Sequence, residues 1–60
     1  MEEVRYINDA DGIAGVVIKS KDGTYIAMLE DLESGERVPH IATGLTLKQA
    51  IEKAREWANV

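Results

Sequence analysis

The order of turn signals between residues 22 and 58 constrains the fold more than any other feature of this chain. Asp22-Gly23 and Ser34-Gly35 are typical of hairpin turns, because glycine adopts the positive φ angles that such turns require. Each pair follows a segment rich in β-branched or apolar residues, and a helix signal comes after the second pair. The pattern predicts a run of antiparallel strands followed by one helix.

The helix signal is specific. Thr46 and Gln49 have the spacing of a capping box, in which each side chain satisfies the backbone N–H of the other residue. Apolar residues then recur at helical spacing, which predicts a helix over residues 47–58 with one buried stripe. The stripe consists of Leu47, Ala50, Ile51, Ala54, Trp57 and Ala58.

Three strands are predicted, over about residues 13–20, 24–31 and 36–42, and Val4 to Ile7 fit a further short strand at the N-terminus. We therefore expect a single α+β domain over residues 1–60, with an antiparallel sheet packed against one C-terminal helix. Sixty residues bury only about 60% of their unfolded surface, so such a domain is marginally stable alone.

Two registers follow from the turns. A two-residue Asp22-Gly23 turn pairs Val17 with Met28. A three-residue loop over 33–35, with its glycine in the left-handed region, places Asp31 opposite Arg37 as an attractive cross-strand pair.

These registers give the sheet two predicted faces, since side chains alternate along a strand. Predicted face one, expected to receive the helix, carries Val16, Ile18, Tyr25, Ala27, Leu29, Pro39 and Ile41. Predicted face two carries Val17, Lys19, Lys21, Ile26, Met28, Glu30, Val38 and His40. Gly15, inside a strand, indicates either a bulge or a close backbone approach.

Charge and composition limit the function classes. Seven basic residues face eleven acidic ones, for a net charge of −4, whereas nucleic-acid binders usually carry a basic face. Direct nucleic-acid binding is therefore not expected. There is no cysteine, and no apolar run approaches the roughly 18 residues of a membrane span. The acidic start of the chain is unlike a secretory signal, so we expect a cytoplasmic protein without membrane contact.

No candidate catalytic set emerges. His40 is the single histidine, and neither serine region resembles a nucleophile motif. Asp9 and Asp11 resemble part of a calcium loop, but the twelfth position from Asp9 is Ser20 rather than glutamate. We expect no enzyme activity, no metal site and no cofactor.

The surplus apolar residues of predicted face two, next to the acidic second hairpin, predict a protein-binding surface. Its residues are Val17, Ile26, Met28, Val38, His40, Glu30, Asp31, Glu33 and Glu36. Two occupants fit: a second copy, giving a homodimer, or a basic protein steered by the acidic residues. The N-terminal segment folding across this face is the structural alternative.

Residues 22–27, 31–32 and 44–54 resemble the N-terminal domain of HicB antitoxins, whose pattern is Asp-Gly-x-Tyr-x-Ala, then Asp-Leu, then Gly-x-Thr-Leu-x-x-Ala in a helix. The chain differs from it in having a longer segment over residues 33–43. The resemblance implies a partial RNase-H-like fold of prokaryotic or phage origin. It also implies a non-enzymatic inhibitory module that neutralises a small basic RNase by binding it.

Two alternatives remain open. Integrase arm-type DNA-binding domains also place three strands before one helix, with Gly-x-Tyr/Trp-x-Ala at the first hairpin, and read DNA with the exposed sheet face. A phage-encoded inhibitor, such as an anti-CRISPR protein, is the third class, because such inhibitors are often small and acidic. Salt-dependent DNA binding separates the integrase alternative from the other two.

Overall fold

The computed structural model describes residues 3–37 and 40–60. Its elements are β1 (Glu3–Asn8), β2 (Ile13–Lys19), β3 (Tyr25–Asp31), β4 (Ile41–Leu45) and α1 (Leu47–Ala58). The strands form one antiparallel sheet in the order β1-β2-β3-β4, and α1 packs on one of its faces. The predicted α+β architecture is confirmed, and the additional N-terminal strand is present as β1, at the edge of the sheet rather than across its face.

Helix α1 begins and ends where the sequence predicts. The Thr46 hydroxyl accepts a hydrogen bond from Gln49 N at 3.2 Å, and the Gln49 side chain accepts one from Thr46 N at 3.0 Å. The two bonds satisfy backbone donors that have no partner within the helix. Asn59 ends the helix in the left-handed conformation, with φ of 60°.

The first hairpin turn is one residue longer than predicted. Ser20 N donates to Thr24 O at 2.8 Å, so residues 21–23 form a three-residue loop. Gly23 occupies its left-handed position, with φ of 89°. This loop is a common alternative to the two-residue turn, and Asp-Gly suits both.

Because of that extra residue, each β2 side chain lies on the face of the sheet opposite to the predicted one. Val17 lies opposite Ala27, and Met28 lies opposite Val16. Because side chains alternate with a period of two, a shift of one residue exchanges the two faces of a strand. Val17 therefore points toward α1, whereas Val16 and its neighbour Ile18 point away from it.

The second loop has the predicted glycine conformation but another register. Gly35 has φ of 78°, as expected. The Asp31 side chain, predicted to face Arg37, instead accepts hydrogen bonds from Glu33 N at 2.8 Å and Ser34 N at 3.3 Å. The strand predicted over 36–42 begins only at residue 41.

The β3–β4 register also moves Ile41. Ile41 lies opposite Met28, on the sheet face away from α1. The prediction placed it on the face that receives the helix. Pro39 and Val38, assigned to predicted faces one and two, fall outside the described residues. We call the face away from α1 the open face. Its side chains are Glu3, Arg5, Ile7, Ala14, Val16, Ile18, Ile26, Met28, Glu30 and Ile41.

Small residues make the contact between α1 and the sheet. The buried cluster consists of Val17, Ala27, Ala50 and Ala54. A Cβ added to Gly15 would lie 2.0 Å from the backbone oxygen of Ala54, so Gly15 marks a close backbone approach. Larger residues surround this cluster and are partly buried: Tyr6, Tyr25, Leu45, Ile51 and Trp57.

Candidate functional site

Four charged side chains form a network on the open face. Glu30, on β3, forms ion pairs with Arg5 and with Arg37, the latter at 2.8 Å. Arg37 also pairs with Glu3, on β1, at 2.6 Å. Because β2 lies between β1 and β3, the guanidinium of Arg37 bridges across β2. Two positive and two negative charges make the network neutral.

This network lies over apolar residues of the open face that would otherwise be exposed to solvent. Val16 lies in the row between Arg5 and Met28 and is fully buried, although α1 is on the other side of the sheet. The Glu30 residue is only 7% exposed. Long arginine side chains can cover apolar surface with their stems while their charged ends remain paired.

The environment of Glu30 keeps its carboxylate ionised. Burial acts to raise the pKa of Glu30, but the hydrogen bond from Arg37 and the charges of Arg5 and Arg37 outweigh burial, and its pKa is lowered. The same contacts raise the pKa of Arg37, the hydrogen bond to Glu30 contributing most. Glu30 and Arg37 therefore stabilise each other's charged forms.

Two predicted binding residues lie on the helix side. Val17 is 2% exposed beneath α1, so it belongs to the core and not to a binding surface. The ring of His40 lies 5.5 Å from that of Trp57, centroid to centroid, at an interplanar angle of 34°. His40 is exposed beside the helix. The prediction instead placed it on face two, away from the helix. The register shifts described above account for both differences.

The other predicted residues divide between the open face and its end. Ile26 and Met28 lie on the open face and are half-buried. Asp31, the last residue of β3, and Glu33 and Glu36, in the β3–β4 loop, are exposed, as the sequence suggests. Val38 is outside the described residues.

The β3–β4 loop meets a second acidic turn that the prediction treated separately. Leu32 N donates to Gly12 O at 2.9 Å, which joins this loop to the β1–β2 turn. Asp9 and Asp11 of that turn thereby join the loop carboxylates at one end of the sheet. We call this set the acidic end: Asp9, Asp11, Asp31, Glu33 and Glu36.

The C-terminus of α1 lies at the acidic end too. The Asn8 side chain donates to Ala58 O at 2.7 Å and to the Asp11 carboxylate at 3.1 Å, which ties the helix end to the β1–β2 turn. A helix C-terminus carries partial negative charge. The carboxylates and the helix dipole therefore contribute negative potential in the same place, and Arg55 in the last turn of α1 offsets part of it.

The opposite end of the molecule carries the other sign. Lys19 and Lys21 flank the β2–β3 turn, and Lys48 lies in the first turn of α1. Asp22 is the acid of this turn; hydrogen bonds from the Thr24 hydroxyl at 2.6 Å and from its backbone N–H at 3.0 Å lower its pKa. The charges are thus separated along a molecule whose longest dimension is 33 Å.

A shallow groove of about 260 Å³ runs between α1 and β4. Leu45 supplies its apolar floor, and the helix side chains Gln49, Glu52, Lys53 and Glu56 line the rest. Trp57 follows Glu56 in α1, packs against the buried cluster and lies beside the ring of His40. The groove combines apolar surface with two carboxylates and one ammonium group.

Among residues 3–37 and 40–60, no three or more His, Cys, Asp and Glu side chains are grouped to hold a metal ion. Nor does that part of the chain contain a helix long and apolar enough to cross a membrane. No protein-family model, curated protein or solved structure matches this chain.

Proposed function

We propose that this protein is a non-enzymatic binding module that captures a basic protein acting on nucleic acid and neutralises it. The observation that carries the proposal is the acidic end, where two hydrogen-bonded turns bring five carboxylates together, while Arg37, the basic residue of the β3–β4 loop, is paired with Glu3 and Glu30. Such a concentration of one sign of charge attracts a basic partner and accelerates its association.

The neutral open face supports the same choice over direct DNA binding. An integrase-type reader would contact phosphates with that face, which needs free lysine or arginine side chains. Both arginines there, Arg5 and Arg37, are engaged by Glu30 and Glu3. The likeness to HicB antitoxins agrees with a basic RNase as the partner, and a phage inhibitor would use the same chemistry on another basic target.

Capture from an extract of the source cells tests the proposal. The immobilised protein is expected to retain a basic protein at low salt and to release it as salt rises, since the Debye length falls from about 30 Å at 0.01 M to about 8 Å at 0.15 M. The retained protein is then purified, and its association rate with the free module is measured by stopped flow.

Charge variants separate the acidic end from the net charge. Glu33→Gln with Glu36→Gln should slow association at low salt. Adding Lys21→Gln and Lys48→Gln returns the net charge to the original −4 without restoring the acidic end. We expect the fourfold variant to associate as slowly as the double variant. Recovery of the rate, or retention only of proteins that are not basic, would contradict it.

A homodimer through the open face is the alternative that one observation favours. Ile7 and Ile41, on the two outer strands of that face, remain about half exposed. Sedimentation of the purified protein distinguishes the two cases: a dimer that Met28→Glu dissociates, with helix content unchanged, would support self-association.

A further inference from the structure

Strand β4 is an edge of the sheet, and its outward backbone groups are identifiable. Within the described residues β4 pairs only with β3. Leu29 N donates to His40 O at 3.0 Å, and Ala27 lies opposite Ala42. Since inward and outward groups alternate along an antiparallel strand, the N–H and C=O groups of Ile41 point away from the sheet. The register shifts by one residue between Ala42 and Leu45, so the alternation is followed only as far as Ala42.

The two sides of this edge differ chemically. On the helix side lies the groove, with Leu45 as its floor and the carboxylates of Glu52 and Glu56 on its wall. On the open face lies Ile41, which is 52% exposed. A strand added beside β4 would present alternate side chains to these two environments, because its side chains also alternate.

We propose that the β4 edge and its groove bind an extended segment of the basic partner as a fifth, antiparallel strand. This proposal rests on the proposed function and names the surface that holds the partner. Alternate arginine or lysine side chains of the segment enter the groove, and the apolar side chains between them cover Ile41. Main-chain hydrogen bonds to the outward groups of β4, beginning at Ile41, supply affinity, while the alternation supplies specificity.

The groove suits a basic side chain with a long stem. Its aliphatic part packs on Leu45, and its charged end reaches the carboxylates of Glu52 and Glu56, which exceed the single charge of Lys53. The end of the groove at Glu56 leads toward the acidic end, which attracts the partner before it docks.

The other edge of the sheet does not fit a basic segment equally well. The flank of α1 on the β1 side carries Ile51, between Lys48 and Arg55 at helical spacing. An incoming arginine there would meet positive charge. The opposite signs of the two helix flanks therefore assign the basic segment to β4 and not to β1.

Short blocked peptides test the inference without the partner. The probe alternates valine and arginine over seven residues, and the comparison peptide alternates valine and glutamate. Trp57, the only tryptophan, reports binding by fluorescence, and the amide shifts of Ile41 and Thr43 locate it. The valine–arginine peptide is expected to bind and to shift these amides, and the valine–glutamate peptide to do neither.

N-methylated peptides test the strand pairing. In the antiparallel arrangement the valine N–H groups face β4 and the arginine N–H groups face solvent. Methylating the valine nitrogens should weaken binding by about tenfold or more, because the main-chain hydrogen bonds are lost. Methylating the arginine nitrogens should leave it unchanged. Equal effects from the two sets, or a larger effect from the arginine set, would overturn the proposal.

Paired protein variants test the groove. Glu52→Gln with Glu56→Gln should weaken the binding of the valine–arginine peptide by about fivefold, as expected for exposed ion pairs. Glu33→Gln with Glu36→Gln makes the same charge change at the acidic end and should weaken the binding of this short peptide less than the groove variant does. Equal weakening, or amide shifts centred on β1 or the open face, would overturn the groove assignment.

The outcomes also separate this inference from the proposed function. A basic protein captured from the source extract by a module that ignores the peptide would overturn only the β4 site. Peptide binding without any captured basic protein would contradict the function and leave the β4 site supported. A homodimer whose interface maps to β4 would show that a second copy occupies this edge, which overturns the inference.

Discussion

The two faces of this sheet are closed in different ways. On the helix side the contact is made by small residues, and α1 approaches so closely that Gly15 leaves no room for a Cβ atom beside Ala54. On the open face the residues are larger, but Arg37 bridges from Glu30 to Glu3 and no second layer is present in the described residues. One face is therefore closed by packing and the other by paired charges.

The difference teaches that apolar content alone does not identify a docking surface. The open face carries several large aliphatic side chains, yet its centre, Val16, is fully buried. The surfaces left for a partner are peripheral: the acidic end and the β4 edge. Packing and paired charges also respond differently to mutation and to pH, and this response can be measured.

The largest expected effect comes from Gly15→Ala. The new Cβ would meet the backbone oxygen of Ala54 at 2.0 Å, and a backbone atom of a packed helix cannot move aside cheaply. We expect a loss of about 3 kcal/mol or more in the free energy of unfolding, at the upper end for overpacked sites. Urea denaturation followed by circular dichroism measures it.

Gly35→Asn is the matched control. Gly35 has a positive φ but no atom within 4 Å of an added Cβ, and asparagine tolerates this conformation. The control should lose much less stability than Gly15→Ala. Similar losses in the two variants would show that backbone freedom, rather than the contact with α1, determines the role of Gly15.

A smaller effect is expected from Arg37→Leu, which removes the bridge across the open face. Glu30 would keep Arg5 but lose its second partner, while Glu3 would become free. Because Arg37 is about one third exposed, we expect a loss of about 1–2 kcal/mol rather than the larger value of a fully buried pair. Arg37→Lys should lose less stability than Arg37→Leu, since lysine keeps the charge although it cannot reproduce the guanidinium contacts with both Glu3 and Glu30. An unchanged denaturation midpoint in Arg37→Leu would mean that the network does not hold the open face.

The smallest expected effect is the pH dependence contributed by Glu30. Its pKa in the folded protein is below the ordinary value of 4.5, so it stabilises the fold while ionised. That contribution is complete above the ordinary pKa and is lost as pH falls through the lower, folded-state value. The stability difference between the original protein and Glu30→Gln should therefore be larger at pH 7 than at about pH 3. A difference that grows on acidification would contradict the sign of this shift.

Local chemistry made the helix and its cap predictable from sequence. Thr46 and Gln49 satisfy each other through bonds that depend only on residues three apart, and Gly35 adopts the predicted left-handed conformation for an equally local reason. The register was not predictable in the same way. Asp22-Gly23 fits a two-residue turn and also the last two positions of a three-residue loop, and the choice depends on which β2 side chains α1 can accept.

The candidate site was predictable only in part, for the same reason. Glu33 and Glu36 were identifiable from the acidic loop itself. The contribution of Asp9 and Asp11 depends on the hydrogen bond between Leu32 and Gly12, which joins loops twenty residues apart in sequence. Burial of Val17 and the position of His40 depend on the two registers.

The pairing of β2 with β3 decides which side chains reach the helix and which form the open face. Ser20 and Thr24 form a hydrogen-bonded pair, so alternation makes Val17 and Ala27 a non-hydrogen-bonded pair whose Cα atoms are about 4.5 Å apart. A nuclear Overhauser spectrum should then show a strong contact between the α-protons of Val17 and Ala27. A strong contact between the α-protons of Ile18 and Ala27 instead would contradict this register, return Val17 to the open face, and remove the basis for the charge-closed surface.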